Sequence, residues 1–184
     1  MIIDALASDE PGLNVENPRQ RPPIRYSERY GRSPPCFARG TITNGHGSRP
    51  RLLIGGTASV RDEESVHPED LPAQSAETFC NLASLIRASL AASRKAGSDL
   101  PDPEALALID HARVYYAREN QSREVRGLVE RRLPHLADVE YVRADLCRAE
   151  LLMEIEGVAR MDTSSVVEPA TCRKLGTGPA SDPR

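Results

Sequence analysis

Between Pro68 and Ala96 the chain carries its longest helical stretch, and this stretch limits what the rest can become. Phe79, Leu82, Ile86 and Leu90 recur at helical spacing, so one face is apolar and must be buried. Pro68, Glu69 and Asp70 suit a first turn, where proline is tolerated and acids meet the positive end of the helix dipole. Arg94 and Lys95 suit the last turn, and Gly97 the stop. Cys80 stands beside the stripe and reads as packing. The chain has no Trp and only two Phe, so whatever faces this helix is built from Leu, Ile, Val and Ala.

Strand-like segments flank the helix. Cys36 to Thr43 reads as a strand with Phe37 and Arg39 on the same side. Asn44-Gly45-His46-Gly47 is a turn signal, and Arg51 to Val60 is the return strand. Gly55 and Gly56 inside that strand predict a bulge, or close approach by another backbone or a ligand. GGTAS is too short to cradle a phosphate, and no GxGxxG or GK[ST] occurs, which excludes nucleotide binding. Leu106 to Arg118 contains a strand, ARVYYAR. Asn120 to Arg132 is a second helix, with Val125, Leu128, Val129 and Arg132 or Leu133 on one face, and Pro134 ends it.

The stretch Tyr141–Gly157, YVRADLCRAELLMEIEG, reads as two strands joined by a tight turn at Ala149-Glu150. In that register Cys147 faces Leu152, Asp145 faces Glu154 and Arg143 faces Glu156, with Glu154 diagonal to both Arg143 and Cys147. The ribbon would hold a cation, a thiol and two or three carboxylates on one face. The plainer reading is a solvated face, common on antiparallel sheets. A one-residue change in the loop would send Glu154 to the other side.

The predicted order is β-β-α-β-α-β-β, an α+β fold of one mixed sheet. Two helices cover only one face of it, leaving the other to solvent, another domain or another subunit. Residues 1–25, with Pro18, Pro22 and Pro23, resemble a linker; 26–160 form the domain; 161–184 lack periodicity and are expected to be disordered. A net charge of -3 with interspersed signs argues against a nucleic-acid partner. No apolar run is long enough to span a membrane, and the first residues lack a signal-peptide pattern, so a cytoplasmic location is expected. Cys36, Cys80, Cys147 and Cys172 show no zinc-ligand spacing. His46, His67, His111 and His135 are equally dispersed and read as loop residues.

Five segments, taken in order, resemble the chorismatases, whose fold is similar to the reactive-intermediate deaminase (YjgF-like, chorismate mutase-like) superfamily. They are NPRQ at Asn17–Gln20, YGRSPPCFARG at Tyr30–Gly40, GTAS at Gly56–Ser59, ESVHPEDL at Glu64–Leu71 and RADLCRAELLMEIE at Arg143–Glu156. The resemblance is to the C-terminal catalytic half of that family, so an N-terminal partner domain is missing from the match. It implies cofactor-independent release of pyruvate from chorismate, giving a hydroxybenzoate or a dihydroxycyclohexadiene carboxylate. It also implies Glu154 as general acid, Cys147 as a product-steering residue, Arg143 or Arg39 holding a substrate carboxylate, and Gly56 and Ala58 lining the pocket. VRDEESV after GTAS is more acidic than the family pattern and would alter the cleft rim. Homotrimers are expected from the superfamily likeness. The rival readings are an imine or enamine deaminase of the wider superfamily, and a non-catalytic half-length assembly module.

The chemistry sets one demand. Cleaving an enol ether by protonation needs a carboxyl that keeps its proton, whereas a free glutamic acid has a pKa of ~4.3. Burial and a neighbouring like charge both raise it, and Asp145 is the charge the predicted register supplies. Arg143 pulls the other way, so a bound carboxylate would have to neutralise it.

Overall fold

The computed structural model describes residues 11–43 and 49–163. The expected turn at Asn44–Gly47, His46, most of the expected tail and Cys172 lie outside them. A six-stranded mixed sheet runs through the molecule in the order β1-β2-β3-β8-β6-β7. Its strands are β1 (Leu13–Val15), β2 (Gly40–Thr43), β3 (Arg51–Ala58), β6 (Ile109–Tyr116), β7 (Val139–Arg143) and β8 (Met153–Arg160). The pair β4 (Val60–Arg61) and β5 (Glu64–Ser65) forms a separate small hairpin. The helices are α1 (Leu71–Ala92), the short α2 (Asp102–Leu106) and α3 (Ser122–Arg132).

The predicted apolar stripe is the core of the fold. Phe79, Leu82, Ile86 and Leu90 on α1 are all buried, packed with Leu52, Ile54, Val114, Met153 and Ile155 from the sheet. The side chain of Asp70 caps α1 by accepting from the Ala73 N–H at 2.9 Å, so Pro68 and Glu69 precede the helix instead of forming its first turn. Val125, Val129 and Leu133 bury the inner face of α3.

The last ribbon is not a hairpin. β7 pairs in parallel with β6, with Tyr116 opposite Arg143, while β8 runs antiparallel between β6 and β3. The reason lies in α3: a strand, a helix and a strand joined by short loops form a crossover unit, and that unit demands parallel strands. The chain then passes around the end of β6, where Ala144 N–H donates to Tyr116 O and Ala117 N–H to Leu152 O. Thus Glu154 stands opposite Tyr115 and Ala58, and the predicted pairings of Asp145 with Glu154 and Arg143 with Glu156 do not form.

Both ends of the domain reach further than expected. Leu13–Val15, inside the presumed linker, forms the edge strand against β2, and Val15 is buried. Asn17 Nδ2 donates to Asn81 O, and Arg19 pairs with Glu77 at 2.6 Å, which fastens this segment to α1. Met161, assigned by its sequence position to the tail, is also buried in the core. By contrast the strand expected from Cys36 begins only at Gly40.

Candidate active site

Alternation along β8 sends Met153 and Ile155 into the helix-covered core and Glu154 and Glu156 to the other face. Above Glu154 a pocket of about 250 Å³ opens, lined by Tyr26, Tyr30, Arg39, Gly56, Cys147 and Arg148 among others. Ala58, Val60 and Leu151 form a small apolar cluster of their own and give the pocket a dry wall. A wider concavity of about 790 Å³ lies further along the same face, over Arg113, Glu140 and Glu156. It is the shallow surface of the uncovered sheet, crossed by ion pairs from Arg113 to Glu140 and Glu156, so the smaller pocket is the better candidate.

Burial holds the Glu154 carboxyl above its usual pKa, and the nearby charge of Glu156 adds to this. Among the described residues no hydrogen bond or ion pair engages Glu154. The like charge that sequence reasoning assigned to Asp145 therefore comes from Glu156. Glu156 is itself held by Tyr115 Oη at 2.8 Å and Arg113 Nη1 at 3.1 Å.

Cys147 sits at the pocket mouth with one side open. The protein on its other side raises the thiol pKa, and the Glu154 charge raises it further. The family resemblance implied one pocket around Cys147, Glu154, Arg39, Gly56 and Ala58, and all five line this one.

Arg143 is the exception. Its partner across the sheet is Tyr116, whose neighbour on β8 is the core residue Met153, so Arg143 takes the opposite side from Glu154. It is exposed, and its guanidinium lies 3.8 Å from Glu119. The parallel crossover moved it: a strand at the sheet edge cannot reach a pocket built on β3 and β8.

Two other arginines supply the positive charge. Arg39 is 5% exposed, yet no carboxylate pairs with it among the described residues. Its Nη2 donates to Tyr26 Oη at 2.5 Å and to Arg21 O at 3.1 Å, while Nε is buried without a partner. A buried guanidinium in that state is costly unless an anion completes it. Arg148 was not singled out by sequence reasoning. It stacks 4.0 Å from the centre of the Tyr30 ring, and its Nη1 donates to Glu63 O at 2.8 Å and Ser65 Oγ at 3.1 Å. Its position one residue after Cys147 was the signal available.

The supports of the site are also visible. Fully buried Gln74 on α1 accepts from Leu152 N–H and donates to Glu150 O, both at 2.8 Å, holding the loop that carries Cys147 and Arg148. The acidic run Asp62–Glu64 is spent on pairing: Arg21 meets Asp62 and Glu63, and Arg29 meets Glu64. Those acids therefore anchor the rim of the pocket. Among the described residues no three His, Cys, Asp or Glu side chains are placed to share a metal ion.

Over 158 residues the chain is 36% identical to a chorismatase of Streptomyces rapamycinicus, covering 85% of this chain and 46% of that protein. The chain is related to the chorismatases. A 3-hydroxybenzoate synthase of Streptomyces hygroscopicus is 33% identical over 150 residues, covering 79% of this chain and 43% of that one. A chorismatase crystal structure superposes with a TM-score of 0.72 at 32% identity, over 82% of this chain and 44% of that chain. A yeast protein, YEO7, shares the fold at a TM-score of 0.59 and 11% identity, over 82% of this chain and 98% of its own length. The chain thus spans less than half the length of the chorismatases it matches. No protein-family model matches it. Among the described residues no helix is long and apolar enough to cross a membrane.

Proposed function

We propose that this chorismatase-like chain converts chorismate without a cofactor, releasing pyruvate and leaving a hydroxybenzoate or a dihydroxycyclohexadiene carboxylate. One observation carries the reading: a carboxyl with a raised pKa, unpaired among the described residues, shares a pocket with a buried arginine that none of their carboxylates meets. The first is a proton donor and the second a seat for a substrate carboxylate.

Glu154 gives its proton to the terminal methylene carbon of the enolpyruvyl group, and positive charge develops at the ether carbon. Cleavage of the bond to the ring oxygen then frees pyruvate when water adds there, leaving the diol. When instead the bond between the ring carbon and the ether oxygen breaks, that oxygen leaves as the pyruvate carbonyl and a ring proton is lost as the ring becomes aromatic, so pyruvate and hydroxybenzoate together account for every atom of chorismate. Cys147, at the mouth beside Glu154, stands where it steers between these outcomes. Arg39 and Arg148 hold the anionic substrate. Arg143, the residue through which a deaminase reading would bind its carboxylate, lies outside the pocket.

Chorismate is incubated with the chain; pyruvate is read by a coupled reductase and the aromatic product by chromatography. An imino acid hydrolysis assay runs alongside. Pyruvate release that falls by roughly 10²–10⁴-fold in Glu154→Gln supports the reading. Imine hydrolysis without pyruvate selects the deaminase, and chorismate binding without turnover selects the non-catalytic module.

A further inference from the structure

Between Ile54 and Thr57 the β3–β8 register shifts: Ile54 faces Gly157 and Thr57 faces Ile155. Gly55 and Gly56 on β3 therefore stand against the single residue Glu156 on β8, a bulge of two against one. Neither glycine has a positive φ, so neither is required by backbone conformation. What each provides is room. A Cβ on Gly56 would overlap Glu154 Oε1 and press on the rest of that carboxyl. A Cβ on Gly55 would meet Ala38 O at 2.9 Å and Arg39 O at 3.3 Å, where Gly55 N–H now donates to Arg39 O at 3.0 Å.

We propose that the Gly55-Gly56 bulge positions the proton donor and the anion-holding cation through two separate contacts: Gly56 makes the niche for the Glu154 carboxyl, and Gly55 docks the backbone that carries Arg39. Both are positioning residues, acting through Glu154 and Arg39. The inference rests on the reading of Glu154 and Arg39 given above. The two contacts have different consequences. Crowding Gly56 moves the carboxyl at fixed substrate affinity. Crowding Gly55 strikes backbone oxygens that cannot rotate away, so the Arg39 segment shifts and affinity drops.

The test has an arm that needs no activity. Melting temperatures are measured for the natural chain, Gly56→Ala, Glu154→Ala and the double variant. Gly56→Ala is expected to lower Tm by roughly 5 °C, and this loss should vanish when Glu154 is already Ala. An equal loss in both backgrounds overturns the Gly56 contact. If Gly56→Ala alone does not fold, the double variant still must, and its failure overturns the inference too. In the second arm, Gly56→Ala should lose roughly 10²-fold in kcat with KM unchanged. Gly55→Ala should raise KM for chorismate, and Kd for 3-hydroxybenzoate by NMR titration, about 10-fold with kcat nearly kept. A KM effect from Gly56, or a kcat effect alone from Gly55, overturns the division of roles. If even the natural chain releases no pyruvate, the proposed function falls, while the melting cycle still decides whether Gly56 seats Glu154.

Discussion

Glu154 and Glu156 stand two residues apart on β8 and point to the same side of the sheet, yet among the described residues only Glu156 has partners. Tyr115 and Arg113 occupy one carboxylate, and the other is left to the pocket. That difference leads to the first expectations for Glu154 as the proposed acid.

Turnover should fall as pH rises through the raised pKa of Glu154, because only the protonated carboxyl can give a proton. A pH–rate profile of kcat checks this, and the limb should disappear in Glu154→Gln. A kcat that stays flat or climbs over the range where Glu154 ionises is incompatible with its role as acid.

Stability runs the same way. A carboxyl whose folded pKa is raised contributes stability that is present below its ordinary pKa and lost as pH rises through the folded value. Glu154→Gln should therefore melt roughly 2–4 °C higher than the natural chain at pH 8, with little difference near pH 4. Equal melting curves at both pH values would show that Glu154 carries no such burden.

Arg39 is tested by separating charge from shape. Truncating one member of a desolvated charge pair typically costs ~2–5 kcal/mol of binding, so Arg39→Met should weaken 3-hydroxybenzoate binding at least 30-fold by about that measure. The free protein should keep or raise its Tm, since a buried charge that no carboxylate meets among the described residues is gone. Arg39→Lys should not rescue, because a point charge cannot replace a planar fork that reaches Tyr26 Oη and Arg21 O while lying over the Phe37 ring. Arg143→Ala serves as the control and should change turnover less than roughly twofold.

Cys147 reports on Glu154 directly. Its thiol pKa is held up by burial and then by the Glu154 charge, so, at a pH where Glu154 is ionised, alkylation by iodoacetamide should be slower than at Cys36 although both thiols are exposed. Glu154→Gln should speed alkylation of Cys147 and leave Cys36 unchanged, read by peptide mass spectrometry. Unaltered Cys147 reactivity in that variant would mean the two groups do not sense one another.

A stability prediction falls on Asn81. Its Nδ2 donates to Ala58 O at 3.0 Å and Val60 O at 2.8 Å, and its Oδ1 accepts from Arg19 at 2.9 Å. Asn81→Ala takes the side-chain donor from Ala58 O and one of two donors from Val60 O, which keeps Gln20 Nε2 at 3.1 Å. Chemical denaturation should show a loss of about 1–3 kcal/mol, the cost of one under-satisfied buried carbonyl. A loss under about 0.5 kcal/mol would mean that water replaces the amide.

Local patterns in the chain are enough to find α1, α3, most of the strands and the Gly55-Gly56 bulge. Each depends on residues within a few positions of one another, and periodicity of 3.6 or 2 expresses that directly. Glu154 and Cys147 were legible through the family resemblance of one short stretch, Arg143–Glu156, whose alternation alone reads equally as a solvated face. Their surroundings were not, since a run of alternating residues says which side chains share a face and not which strand lies alongside.

Amino-acid order by itself determined the apolar faces, the helices α1 and α3 but not the short α2, and the acidic and thiol groups on the ribbon before and along β8. Tertiary structure alone decided that β8 enters between β3 and β6 while β7 stays at the edge. That placement follows from the parallel crossover around α3, a long-range choice no local pattern encodes. It exchanged Arg143 for Arg39 and Arg148 as the cations beside Glu154, and Asp145 for Glu156 as the charge that raises its pKa.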